Sequence, residues 1–147
     1  MTHRTPAGEV VVTPRNFKLL DELENSEKGH GDMSISFGLV DSGDTFLSDW
    51  NGGILGPAGT QHDGRFYQLR IHCNESYPLV PPTIKFISKI NLGCVDSRTG
   101  EIESSKVPAM RSWDGNAGIE GILRSIRMEM CSDKNRRLKQ PTEGSTF

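Results

Sequence analysis

Between positions 78 and 82 three of the five residues are proline, in the run Tyr77-Pro78-Leu79-Val80-Pro81-Pro82. Each proline fixes its φ angle and removes a backbone donor, so the run cannot lie inside a helix or in a central strand. It predicts an exposed, stiff corner. Directly after it Thr83 to Ile87 returns to an apolar strand pattern, and from Asn91 to Ser105 no period is visible. A fold for this chain has to accommodate strand, rigid corner, strand and long loop in that order.

Upstream of the corner the pattern is one helix and three strands. Residues 1 to 12 are small and polar until Glu9-Val10-Val11-Val12 and read as a flexible arm. A helix is predicted next, with Thr13 as N-cap, Pro14 in the first helical position and Lys28-Gly29 closing it. At about 100° per residue Leu19, Leu20 and Leu23 share roughly a quarter of the circumference and form the expected core stripe. Phe17 misses that stripe, so it either caps the adjoining Val10 to Val12 or is an exposed anchor for a partner.

Strand patterns follow at Met33 to Val40, Phe46 to Leu55 and Phe66 to Cys73, the first two joined by a turn at Asp41-Ser42-Gly43-Asp44. Trp50 is expected to point inward and Gly52-Gly53 to leave a flat spot. Gly56 to Thr60 lacks the Lys-Ser/Thr of a phosphate loop and reads as a turn. In the third strand the period of two sends Tyr67, Leu69, Ile71 and Cys73 inward and Phe66 outward with Gln68, Arg70 and His72. An outward phenylalanine beside Ser36 and Gly53 is either a satellite contact at a sheet edge or a docking surface. After the long loop, Ile119, Ile122, Leu123, Ile126 and Met130 recur with helical spacing, with Asn116 as the expected cap and the methionines as core filler. Residues 132 to 147, with Pro141 and Gly144, read as a short polar tail.

At 147 residues, 34% of them apolar, the chain fits one domain spanning 1 to 147. A net charge of −2 leaves no electrostatic footprint for nucleic acid, and Lys134, Arg136, Arg137 and Lys139 read as a solvated helix end. No stretch reaches the length of an apolar membrane span and Met1 to Val12 lacks the core of a signal peptide, which predicts a cytosolic and nuclear protein. Cys73, Cys94 and Cys131 are odd in number and widely spaced, and His3, His30, His62 and His72 show no ligand spacing. Reduced thiols, no metal and no cofactor are expected.

The corner and its sequel resemble the ubiquitin-conjugating enzymes: Tyr77-Pro78, Pro81-Pro82 and Phe86, then Lys89-Ile90, match the family's motif in spacing and in the flanking strand. Those enzymes continue with His-Pro-Asn and then a cysteine that carries ubiquitin as a thioester. Here Leu92-Gly93-Cys94 stands in place of the triplet, so that Cys94 takes the Asn position. With Gly100 on the glycine that precedes the family's cysteine and one inserted residue, Glu103 takes the nucleophile position, flanked by Ile102 and Ser104. Thioester transfer needs a thiolate and an amide donor for the developing oxyanion, and a carboxylate and a cysteine at those two places supply neither. The chain is therefore similar to the ubiquitin-conjugating enzyme variants, which keep the fold without the chemistry. The resemblance implies an α+β fold with an N-terminal helix, a four-stranded antiparallel meander and one long helix after the loop, the C-terminal helices of active enzymes being missing.

Pro14-Arg15-Asn16-Phe17 followed by Leu19-Leu20 further resembles the N-terminal motif of those variants that form a heterodimer with an active ubiquitin-conjugating enzyme. The resemblance implies Asn16, Phe17 and Asp21 in that interface. It also implies a second, acceptor ubiquitin held without a covalent bond at Ser36, Gly53 and Phe66, with Gly53 departing from the bulkier residue usual there. The implied product is lysine-63-linked polyubiquitin, used in DNA damage tolerance and signalling. Two other readings stand beside this one. A self-sufficient transferase would use Cys94, although Leu92, Val95 and Asp96 would raise its thiol pKa. A peptide-binding variant of the endosomal-sorting type would sit in a longer chain with coiled-coil heptads, which this sequence lacks.

Overall fold

The computed structural model describes residues 15–27 and 34–147 in full and the backbone of 3–4 and 10–11. Thr13, Pro14, Lys28, Gly29 and Met33, invoked above as caps and strand start, lie outside the described residues, as does most of the 1–12 arm. Within that arm β1 (His3–Arg4) and β2 (Val10–Val11) pair antiparallel.

Four strands form the sheet: β3 (Ile35–Leu39), β4 (Asp49–Leu55), β5 (Phe66–His72) and β6 (Thr83–Phe86), ordered β3-β4-β5-β6 and antiparallel throughout. The meander follows from alternation. In β5 Tyr67, Leu69 and Ile71 are buried while Phe66, Gln68, Arg70 and His72 face out, as a period of two requires. Trp50 is fully buried on the same inner face.

One strand begins later than its apolar pattern suggests. Phe46 is not in β4 but in the preceding turn, where the Asp44 carboxylate accepts from the amides of Phe46 at 2.9 Å and Ser48 at 3.0 Å. Leu47 there takes a positive φ of 53°. The two amides that a strand would have paired are spent on Asp44, and Phe46 is left 73% exposed.

The helix α1 (Arg15–Glu27) packs against β3, but not by the expected stripe. Leu19 is fully buried and Leu23 partly so, whereas Leu20 is 51% exposed and Glu22 is buried in its stead. The cause lies at α3 (Gly118–Met130). One carboxylate oxygen of Glu22 accepts the Ile119 amide at 2.7 Å, while Lys18 Nζ lies 3.5 Å from the other. Glu22 thus satisfies a first-turn donor of α3. Glu22 and Leu20 lie about 200° apart around the helix, so with Glu22 held inward Leu20 faces out. Asn116, the expected cap of α3, makes no such bond, and Ala117 precedes the helix without a side-chain cap. Gly118 has φ +67°, and a Cβ there would lie 2.3 Å from Glu22 Oε1, so glycine is required.

On α3 Ile119, Ile122, Leu123, Ile126 and Met130 are buried against the sheet, as the spacing predicts. Met128 is a correction: it is 73% exposed and fills no core. A short helix, α2 (Pro108–Arg111), precedes α3 and was not legible as one. The proline corner is stiff but anchored on one side, since Tyr77 is buried and Trp113 Nε1 donates to Pro78 O at 2.8 Å. Leu79 and Val80 form its exposed rim. Residues beyond α3 fold back along the molecule. Asn135 caps the Glu129 carbonyl, Lys89 N donates to Ser145 O at 2.8 Å, and Phe147 N donates to Ile87 O at 3.1 Å while its ring meets the core.

Candidate functional site

The loop between β6 and α2 brings Cys94 and Glu103, the two residues that the resemblance aligns with the family's Asn and cysteine, side by side. Val95 and Ile102 form an antiparallel bridge, and Glu103 N donates to Cys94 O at 2.8 Å. The intervening turn is tied by Asp96, whose carboxylate accepts from the amides of Arg98 and Thr99. Gly100 closes it at φ +84°, and any Cβ would strike Phe86 O at 2.5 Å. Glu103 is solvent-facing and ion-pairs with Lys106 Nζ at 3.1 Å, a surface contact of small energetic weight. Cys94 is 2% exposed, and burial pushes its thiol up to about 12, the nearby Glu129 carboxylate adding to the effect. A thiol so placed is neither accessible nor ionised near neutrality. Cys73 is likewise buried and raised to about 12, chiefly by desolvation, and Cys131 alone of the three is exposed. Among the described residues no group of three or more His, Cys, Asp or Glu side chains gathers as a metal site.

A second candidate surface lies on α1. Asn16, Phe17 and Asp21 are all exposed. Phe17 and Asp21 are four residues apart and so lie on one helical face. Leu20, missed in the sequence, joins them: Phe17 and Leu20 are each 51% exposed and three residues apart. The signal was present, because at about 100° per residue Leu20 lies only about 60° from Phe17 but about 100° from Leu19. The helix start is fixed by Arg15, whose guanidinium donates to the carbonyls of Asn74, Phe46 and Cys73 and to Ser48 Oγ, at 2.6 to 2.9 Å. Four acceptors from two different loops lock the orientation of α1 and the exposed Phe46 turn together.

The third surface is the outer face of the sheet. Ser36 pairs with Gly53 across β3 and β4, and Phe66 stands opposite Leu55, two residues along β4 from Gly53. The structure therefore brings Ser36, Gly53 and Phe66 together, as their positions predict. Ser36 is exposed, Phe66 is 56% exposed, and Gly53 is covered. Beside them lies a shallow hollow of about 370 Å³, lined on its outer side by Ser36, Gly38, Asn51, Phe66, Gln68 and Arg70.

Comparison with known proteins matches this arrangement to a family. The sequence profile described as "Ubiquitin-conjugating enzyme" matches residues 18–144. "Ubiquitin-conjugating enzyme spm2" of Schizosaccharomyces pombe is 50% identical over 134 residues, covering 91% of this chain and 96% of the relative. "Ubiquitin-conjugating enzyme variant MMS2" of Saccharomyces cerevisiae is 48% identical, covering 91% of this chain and 97% of the relative. "Ubiquitin-conjugating enzyme E2 variant 1C" of Arabidopsis thaliana is 45% identical over 96% of this chain and 97% of its own length. Among solved structures, human ubiquitin-conjugating enzyme E2 G1 superposes with a TM-score of 0.70 at 28% identity, covering 83% of this chain and 99% of that one. On this fold and these relatives, the chain belongs to the ubiquitin-conjugating enzyme family and, within it, to the ubiquitin-conjugating enzyme variants.

Proposed function

We propose that the chain is a non-catalytic subunit. It pairs with an active ubiquitin-conjugating enzyme through Asn16, Phe17, Leu20 and Asp21 on α1 and holds an acceptor ubiquitin, without a covalent bond, on the Ser36, Gly53 and Phe66 face. The pair makes lysine-63-linked chains, in the cytosol and the nucleus. The observation that carries this reading is the burial of Cys94, which is 2% exposed and pushed up to about 12, beside Glu103, the residue that the resemblance aligns with the family's nucleophile. The same burial counts against Cys94 as a self-sufficient nucleophile. Orientation is then the contribution the chain makes. Holding two reactants in line is worth up to roughly 7 kcal/mol or more of barrier, so a subunit lacking catalytic groups can still decide which product forms.

Reconstitution tests it. With activating enzyme, ATP and ubiquitin, the active partner should charge at its cysteine and this chain should not. Lysine-63-linked chains should need both proteins. Phe17→Ala should weaken pairing by about 30-fold or more, the roughly 2 kcal/mol typical of a buried aromatic anchor, and isothermal calorimetry reads that directly. A reducible ubiquitin adduct on this chain, or equal chain synthesis without it, refutes the reading.

A further inference from the structure

Gly53 contributes no side chain to the outer-face trio, yet the space for one is taken. A Cβ on Gly53 would stand 2.4 Å from Phe66 Cζ, 3.0 Å from Cε2 and 2.7 Å from Ser36 Oγ. Carbon atoms meet comfortably only at about 3.5 Å or more. The far edge of the Phe66 ring therefore fills the volume that any other residue's Cβ would need. Phe66 and Gly53 are diagonal neighbours on adjacent strands, the relation in which a long side chain reaches across a sheet face. The ring leans along the sheet over β4 instead of standing off it.

No backbone requirement explains the glycine. Gly53 is absent from the residues with positive φ, and glycine inside a strand costs stability. What fills the Cβ position is chiefly the ring, with the Ser36 hydroxyl at 2.7 Å beside it. Gly38, further along the same face, has nothing within 4 Å of its Cβ position, which leaves the hollow beside Phe66 open.

We propose that Gly53 is a positioning residue for acceptor ubiquitin: its missing side chain fixes the pose in which Phe66 meets the acceptor. This rests on the reading of the outer face as the acceptor site. Any larger residue at Gly53 lifts the ring, changes the surface offered to ubiquitin and leaves pairing through α1 untouched.

Chain synthesis with the active partner saturating tests the proposal through the acceptor KM. Gly53→Thr should raise that KM by roughly five- to tenfold, a loss comparable to that of Phe66→Ala, with kcat and partner affinity unchanged. In the Phe66→Ala background the same substitution should add less than about twofold, because no ring is left to displace. Nuclear Overhauser contacts between the Phe66 ring and Ser36 should be lost in Gly53→Thr, a readout independent of ubiquitin. Gly53→Ala, with its own Phe66→Ala double, serves if the threonine variant folds poorly. A Gly53→Thr or Gly53→Ala variant with unaltered acceptor KM while Phe66→Ala raises it, or full additivity in the double variant, overturns the proposal and leaves the acceptor site standing. If Phe66→Ala is itself without effect, the acceptor reading falls, and this inference with it.

Discussion

Glu22 is a buried acid outside the leucine stripe that the helical pattern assigns to the core. Burial pushes its carboxyl up from an ordinary value of about 4.5, while the Ile119 amide and Lys18 pull the other way without reversing the shift. A carboxyl whose folded value lies above its unfolded one stabilises the fold most below the unfolded value. That contribution is lost as pH rises through the folded value. The window therefore opens near pH 4.5 and closes at the raised value of Glu22. Glu22→Gln keeps an acceptor for Ile119 and removes the titration. Urea unfolding of both proteins across that window should show the stability of the parent, relative to Glu22→Gln, falling as pH increases. A relative stability that climbs over the same range contradicts the assignment. Nothing in the sequence signalled this residue. The partner of Glu22 is an amide 97 positions away, and polarity alone marks a glutamate as surface.

At the scale of elements, legibility tracked how local the determining interaction is. The alternation of β5 and the helical spacing of α3 are properties of each segment by itself, and both appear as read, including the outward Phe66. The buried face of α1 includes Glu22, whose partner lies on α3, so a stripe drawn through the leucines alone was centred too far toward Leu20. The turn that ejects Phe46 depends on Asp44, and the cap of α3 comes from another helix, so both escaped a strand and cap search confined to neighbours. The two adjacent leucines of α1 make the point measurable. Leu19→Ala removes a fully buried side chain and should cost about 2–5 kcal/mol in denaturant unfolding. Leu20→Ala should stay within about 0.5 kcal/mol of the parent in the same assay, yet weaken binding of the active partner in calorimetry. If the two substitutions destabilise alike, the face assigned to partner binding is a second core face.

For the molecule as a whole, the question is whether the two proposed docking surfaces act independently. Glu22 ties α1 to the N-terminus of α3, and α3 packs on the inner face of the sheet, so α1 lies on that side. Phe66 projects from the opposite, outer face. The packed core of Leu19, Trp50, Ile54, Leu69, Ile71 and Leu123 lies between the two surfaces, and close-packed interiors resist small displacements. Neither aromatic belongs to that core, since Phe17 and Phe66 are both more than half exposed, so truncating either should leave it undisturbed. Effects at distant sites without shared partners add to within about 0.5 kcal/mol, which is about a factor of two in a rate or binding constant. Phe17→Ala should therefore raise the concentration of this chain needed to saturate the active enzyme while leaving the acceptor KM alone, and Phe66→Ala should do the reverse. The double variant should show the product of the two effects within that factor, measured by titrating each component separately in chain synthesis. A strongly non-multiplicative result would mean that the partner and the acceptor touch each other or a common element. In that case the chain would be more than a rigid platform, because binding on one face would alter the other.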